Sequence, residues 1–377
     1  MIYLDHAATT AVDPEVLEEM MPYFGDVYGN PSSVYGAGRQ ARAAIDAARD
    51  LVADALGCQS RELIFTSGGS ESDNLALRGV AMRNADRGRH LVCSQVEHHA
   101  VLTTMQDLER QGFEVTYLPV DAEALVEPDD LRAALRPDTV LVSVMLGNNE
   151  VGTMEPVRAL ADITHANSDA YFHTDAVQAF GKVPVRVDDL GVDMLSISAH
   201  KIYGPKGVGC LYVRMGTRIQ PLITGGGHER NRRAGTENVA GIVGLAKAVE
   251  VAVRDFTTDT VRLRSTRDRL VEGMTAVDGA RVTGHPTERL PHHASFIIDG
   301  VEGDSLLMLL DREGVSASSG SACTSGSLEP SHVLLAMGIS PEEALSSLRL
   351  TVGKRTQDAE VDAAVEVIQG AVSQLRS

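Results

Sequence analysis

The sequence has 377 residues, 43% hydrophobic and 23% charged, the makeup of an ordinary globular protein with room for large cores and two domains. Its 34 basic and 52 acidic residues give a formal net charge of -18, which disfavours direct binding of nucleic acid or of an anionic membrane. No apolar run is long enough to cross a bilayer, MIYLDHAATT reads as a strand and turn rather than a signal peptide, and the four cysteines (Cys58, Cys93, Cys210, Cys323) have no CxxC or zinc spacing; the expectation is no disulfide framework, no metal site and a reduced, cytoplasmic setting.

Leu4 to Thr10 is a polar turn. Asp13 and Pro14 open a helix through about Tyr23, as N-cap and first helical residue. GNPSS, from Gly29, is loop chemistry, and an amphipathic helix follows over Gly38–Leu56, closed by Gly57. Glu62–Thr66 is a short strand running through Ser67-Gly68-Gly69-Ser70-Glu71 into a helix over Ser72–Arg83. A strand, a small-residue loop and a helix N-terminus can hold a phosphate on free backbone N–H groups. Ser70 with Asp73 is equally well a plain helix cap.

His90–Ser94 is the next strand, ending in Gln95-Val96-Glu97-His98-His99. An imidazole there can stack on a flat cofactor or move protons, though the ordinary role is structural. Glu114–Pro119 reads as a strand and Glu127–Leu135 as a helix. Thr139–Met145 is almost wholly apolar, as a strand covered on both faces should be. It empties into Gly147-Asn148-Asn149-Glu150, whose amides can stitch the loop or hold a ligand. The strand Ala170–Thr174 leads to Asp175 and Gln178. A carboxylate there can pair with a pyridine nitrogen or simply cap a helix.

Met194–Ile197 is a buried strand that ends in Ser198-Ala199-His200-Lys201, before Gly204-Pro205 and a return strand at Cys210–Val213. It delivers one lysine to the carboxyl edge of the sheet, where open α/β sheets bind ligands. A partly desolvated lysine can form a Schiff base with an aldehyde cofactor, and Ser198 and His200 can hold a phosphate; a surface lysine in a loop is the plain alternative. A Gly-rich crossing with Arg233-Ala234-Gly235-Thr236 leads to the helix Val239–Arg254, and the β–α alternation ends near Asp255.

A smaller α+β unit follows, with helices at about Val261–Ala276 and Asp304–Gly314, strands at Ala294–Ile298 and Leu348–Val352, and a terminal helix from Thr356. The run from Val315 to Ser327 is small and polar with one thiol, Cys323. It cannot pack a core, so the expectation is an exposed loop with a nucleophilic cysteine. Arg349 sits among apolar residues and needs a partner, either a substrate carboxylate or a structural ion pair.

Taken in order, LDHAATT, GNPSS, FTSGGSES, EHHAV, NNEVG, HTDAVQ, SAHKIYGPKGVG, RAGTEN, SSGSACTSGSLEPSHVL and LRLTVG resemble the cysteine desulfurases. The likeness is to the NifS/IscS-like group of the class V aminotransferase family, the fold-type-I pyridoxal-phosphate enzymes, and it spans essentially the whole chain. It implies an α/β fold in which a large cofactor-binding domain, residues 14–255, carries a mostly parallel sheet flanked by helices. A small α+β domain, residues 1–13 and 256–377, would carry the cysteine loop.

By this resemblance Lys201 is the Schiff-base lysine, Asp175 pairs with the ring nitrogen, and Gln178 bonds the ring's phenolic oxygen. His98 stacks on the ring and moves protons. Gly69, Ser70, Ser198 and His200 hold the phosphate of pyridoxal 5'-phosphate, and Thr236 reaches the phosphate of the other subunit in a homodimer. Asn149, also beside the cofactor, and Arg349 hold the substrate carboxylate. Cys323 takes the sulfur of L-cysteine as a persulfide, leaving L-alanine. The sulfur then passes to acceptor proteins, either an iron–sulfur scaffold or a tRNA-thiolation enzyme.

Ser70 stands where the family often has Thr, which keeps the hydroxyl. Tyr35 stands where many members have His, with no functional account. The chain ends soon after its last helix, without the longer tail with which some members dock a scaffold. The long Ser/Gly run resembles the group with an extended catalytic loop rather than the group that leans on an activator protein. A selenocysteine lyase, another small-amino-acid enzyme of the same fold, and a catalytically silent binding platform are the competing readings. Lys201 and Cys323 together argue against the last, and a thiol has no place in transamination.

Overall fold

The computed structural model describes residues 1–320 and 329–377. Cys323 lies outside the described residues. Seven strands form one sheet in the spatial order Leu63–Thr66, Gly209–Val213, Met194–Ser198, Tyr171–Asp175, Thr139–Ser143, His90–Ser94 and Glu114–Leu118. The strands from Met194–Ser198 to Glu114–Leu118 are parallel, and Gly209–Val213 is antiparallel to both its neighbours. Parallel neighbours need crossover connections, which the helices between them supply.

Alternate residues of each strand enter different cores. Leu63, Phe65, Val92, Leu195 and Tyr212 pack on one face with Ile45, Val52, Leu245 and Val249 from the helices Gly36–Leu56 and Val239–Arg254. Ile64, Leu91, Cys93, Met194 and Leu211 pack on the other with Leu75, Val80, Val101 and Met105 from the helices Gly69–Arg83 and His99–Arg110. This two-sided cover is why the strands read as apolar runs.

A separate apolar cluster joins Leu263, Leu270, Phe296, Ile298, Leu310, Leu348, Leu350, Val361 and Ile368. It lies between the antiparallel strands Ser347–Thr351, His293–Ile298 and Ala280–Val282 and the helices Phe256–Thr275, Gly303–Arg312 and Asp358–Leu375. Leu4 belongs to this cluster, and Ile2–Tyr3 pairs in parallel with Val315–Ser316. Among the described residues no helix is long and apolar enough to cross a membrane.

The expected mixed α/β architecture is present, with shifted boundaries that bear on the site. The helix after Thr66 starts at Gly69, not Ser72, so Gly69 and Ser70 sit in its first turn. The strand before Gln178 includes Asp175. Ala280–Val282 and Val315–Ser316 escaped the sequence reading because both are too short to show a period.

Candidate active site

Parallel strands deliver their C-terminal residues to one edge. Met194–Ser198 ends in a single 3₁₀ turn, Ala199–Lys201, that lifts Lys201 off the sheet. Asp175 closes the neighbouring strand, paired in register with Ser196. His98 caps the helix His99–Arg110, and Ser70 lies in the first turn of Gly69–Arg83. Arg349 arrives from the small sheet. Together with Gly69, Asn149, Gln178, Ser198 and His200 they line one cavity of about 250 Å³. The expected site residues outside it are Cys323, which is not among the described residues, and Thr236. In its own chain Thr236 lines a smaller pocket of about 170 Å³ with Arg233, Glu237 and Asn238.

The turn before the Gly69 helix depends on glycine. Gly68 has φ +152°, which side chains rarely adopt, and a Cβ on Gly69 would lie 2.8 Å from Val177 Cγ2. No side chain among the described residues caps this helix, so its first N–H groups lack the usual side-chain partner, and Gly69 and Ser70 of that turn line the cavity. The alternative of a Ser70–Asp73 cap is not what forms: Asp73 is buried on the cavity wall.

Lys201 Nζ donates to the carbonyl oxygens of Ala7 and, at 2.7 Å, of Ala8. Gln178 Nε2 donates to the same Ala7 carbonyl at 2.8 Å. The N-terminal turn is thus a wall of the site, fastened by Thr10 N to the His200 carbonyl and by Asp13 N to the Tyr203 carbonyl, at 3.0 and 2.9 Å. The sequence reading missed Ala7, Ala8, Asp73, Met145 and Val177 as lining residues. The motif LDHAATT was the available signal, but its contribution here is through carbonyl oxygens that no residue type announces.

Asp175 Oδ1 accepts the Val177 N–H at 2.8 Å. Burial raises its carboxyl, while that bond and the charge of Lys201 pull it back. Asp73 is raised further, by burial and then by Asp175, with no compensating cation. Two buried carboxyls cannot both ionise cheaply, and the push toward the protonated form falls harder on Asp73, while Lys201 and the Val177 N–H favour the charge on Asp175.

His98 Nδ1 accepts the Ala100 N–H at 3.1 Å, which places the proton of the neutral ring on Nε2. Burial, then the charge of Lys201, lowers its pKa to about 4. His200 is likewise lowered to about 4 by burial and Lys201, and its Nδ1 lies 3.1 Å from Thr9 Oγ1. Of the paired amides, Asn148 stitches the loop, accepting from Glu150 N and Val151 N at 2.8 and 2.9 Å. Asn149 lines the cavity, and its carbonyl accepts from Arg349 Nη1 at 3.0 Å. Arg349 also pairs with Asp5, so the structural partner foreseen for it exists.

Among the described residues, three buried polar atoms of the lining side chains have no hydrogen-bond partner: Asp73 Oδ1, Gln178 Oε1 and Arg349 Nε. Buried polar groups are nearly always satisfied, so such orphans point to a bound polar group. The cavity offers an amine, an ionised carboxylate, a neutral imidazole, hydroxyls and a helix N-terminus. Pyridoxal phosphate has an aldehyde, a basic ring nitrogen, a flat ring and a phosphate, and the residues present fit it.

The family model for aminotransferase class-V matches residues 2–364, and the chain belongs to that family. Within it the similarity is to cysteine desulfurases: the chain is 50% identical over 376 residues to the cysteine desulfurase IscS of Methanosarcina thermophila, covering 100% of this chain and 93% of that one. A solved NifS-like protein superposes with a TM-score of 0.94 at 39% identity, over 99% of both chains. A structure of SspA in complex with cysteine superposes with a TM-score of 0.83 at 37% identity, over 93% of this chain and 99% of that one. Fold and family together make pyridoxal phosphate the cofactor.

Proposed function

We propose that this chain is a cysteine desulfurase that converts L-cysteine to L-alanine and keeps the sulfur on Cys323 as a persulfide. The observation that carries this reading is one cavity in which Lys201, Asp175, His98 and Arg349 meet at the carboxyl edge of a parallel sheet. Full-length likeness to a cysteine desulfurase supports it, as does the solved relative that holds cysteine.

Bound in the cavity, pyridoxal phosphate supplies an electron sink for the substrate's Cα. Gly69, Ser70, Ser198 and His200 hold its phosphate, Asp175 pairs with its ring nitrogen, and Gln178 faces its phenolic oxygen. Lys201 would hold its aldehyde carbon through Nζ, and the same amine, once released, would be the base for the proton at the substrate's Cα. His98, on the cavity wall with Nδ1 engaged by the Ala100 N–H, would face the ring and have its Nε2 proton to donate. Asn149 and Arg349 hold the substrate carboxylate, with Arg349 Nε a buried donor that has no partner among the described residues. The Cys323 thiolate bonds to the substrate sulfur as the carbon–sulfur bond breaks, and the carbon fragment gains protons and leaves as L-alanine. The described cysteines support this choice of nucleophile. Burial raises the thiol of Cys58 to about 12 and raises Cys93 and Cys210 as well, and a thiol that stays protonated is a poor nucleophile.

The apolar cluster made only of Leu4 and residues from Leu263 onward supports a division into a large domain, residues 14–255, and a small one, residues 1–13 with 256–377. The placing of Thr236 outside its own chain's cavity supports a homodimer in which it completes the site of the partner. On this reading the protein is cytoplasmic and hands sulfur to acceptor proteins for iron–sulfur cluster assembly or tRNA thiolation; its acidic charge supports the further point that it does not bind nucleic acid itself.

The test is an absorption spectrum of the purified protein before and after L-cysteine, with alanine and thiol-releasable sulfide assayed together. A shifted visible band with both products in equal amounts supports the reading. A shift without alanine overturns the substrate, and persulfide formed at the wild-type rate by Cys323→Ser overturns the nucleophile.

A further inference from the structure

A second lysine lies directly behind Lys201. Lys182 is 6% exposed, and its Nζ donates to the carbonyl oxygens of Gln178 and of Lys201, both at 3.1 Å. An ammonium is almost never this buried without a carboxylate, yet both of these partners are carbonyls. The two residues it grips are the ones whose side chains meet at the Ala7 carbonyl inside the cavity. A small pocket of about 30 Å³ lies behind Lys201 and is lined by both lysines.

We propose that Lys182 is a positioning residue: by bonding the Gln178 and Lys201 carbonyls it fixes the Lys201 turn against the sheet edge. This rests on the role given to Lys201 above.

The hold on the two carbonyls does not depend on the charge of Lys182. Burial, then the charge of Lys201, lowers Lys182 to about 7, and both the ammonium and the neutral amine carry enough hydrogens to serve two carbonyl oxygens. Among the described residues, those that line the small pocket with it offer no carboxylate bonded to Nζ, so the Gln178 and Lys201 carbonyls are the contacts that fix it.

Two variants separate hydrogen bonding from packing. Lys182→Gln keeps donors for the two carbonyls, and Lys182→Met keeps the bulk without them. In protein stripped of cofactor, the return of the visible band on adding pyridoxal phosphate should be about tenfold slower in Lys182→Met and near wild type in Lys182→Gln, the worth of the lost hydrogen bonds. In loaded protein Lys182→Met should lower kcat with KM for L-cysteine little changed, since the residue does not line the cavity. Wild-type rates of band return and turnover in folded Lys182→Met overturn the inference. Should Lys182→Met not fold, Lys182→Ala, in which water can reach the two carbonyls, gives the same reading. A Lys201→Ala protein that keeps the visible band overturns the assignment of Lys201 itself; loss of that band with wild-type rates in Lys182→Met overturns only the present inference.

Discussion

Arg349 Nη2 donates to Asp5 Oδ1 at 2.8 Å, joining the last strand of the chain to its N-terminal turn at the mouth of the cavity. The pair leaves Arg349 aligned, with Nη1 on the Asn149 carbonyl and Nε unused. Asp5→Ala should therefore lose both stability and substrate binding. Removing one partner from a buried pair strands the other charge, so urea unfolding should show a loss on the order of 3 kcal/mol. Arg349→Ala should raise KM for L-cysteine about 10- to 100-fold, the worth of a charge-assisted bond. An unchanged KM would remove Arg349 from substrate binding.

Asp175→Asn separates charge from shape. The asparagine Oδ1 can still accept the Val177 N–H, so the strand end should keep its geometry. The negative charge facing the ring nitrogen is lost. Alanine formation should fall at least about 100-fold with little change in stability, because charge placed where it develops is a large catalytic term. Retention of more than a tenth of the rate would sink the role given to Asp175.

His98 should contribute no limb to the pH profile near neutrality. Its pKa is lowered to about 4 by burial and by Lys201, so in the free enzyme it stays neutral from pH 5 to 9 by this value. His98→Gln should lower kcat across that range and leave the limbs of the kcat/KM profile where they were. Limbs that shift with the substitution would show that His98 titrates there.

Glu97, next to His98, makes the protein less stable as pH rises. It is buried, accepts from Ser94 Oγ and Met145 N at 2.7 and 2.8 Å through Oε1, and leaves Oε2 unpartnered. Burial raises its pKa to about 8. A folded-state pKa above the unfolded value gives stability that is complete below the unfolded pKa, about 4.3, and lost as pH climbs through about 8. Glu97→Gln copies the protonated form. It should match wild type at about pH 4.5 and exceed it by on the order of 3 kcal/mol at about pH 9, read by urea unfolding at both. A difference that does not grow with pH would show that Glu97 is ionised in the fold.

Sequence alone placed the strands and the residues at their ends. Helices cover both faces of the large sheet, so its strands are apolar throughout, and polar chemistry can begin only where a strand stops. Lys201, Asp175 and Asn149 were legible because each follows such a run, as were Ser198 and His200 beside the lysine. The order of motifs along the chain was enough for the family.

Tertiary structure decided what those ends meet. The carbonyls of Ala7 and Ala8 receive Lys201 and Gln178 from more than 170 residues away, and a carbonyl oxygen leaves no trace in residue identity. Arg49 and Glu229 form a buried bidentate pair at 2.9 and 2.6 Å across a separation of 180 residues, with no local signal in either segment. Asn148 and Asn149 are the same residue type one position apart, and only the loop's path makes one a stitch and the other a wall of the cavity. Asp73 was readable as a helix cap, and nothing in the sequence singles out Lys182; burial raises the carboxyl of the first, beside Asp175, and lowers the ammonium of the second, behind Lys201. Burial is a property of the packed sheet and not of any local pattern, so the charge states of this site were set by the fold.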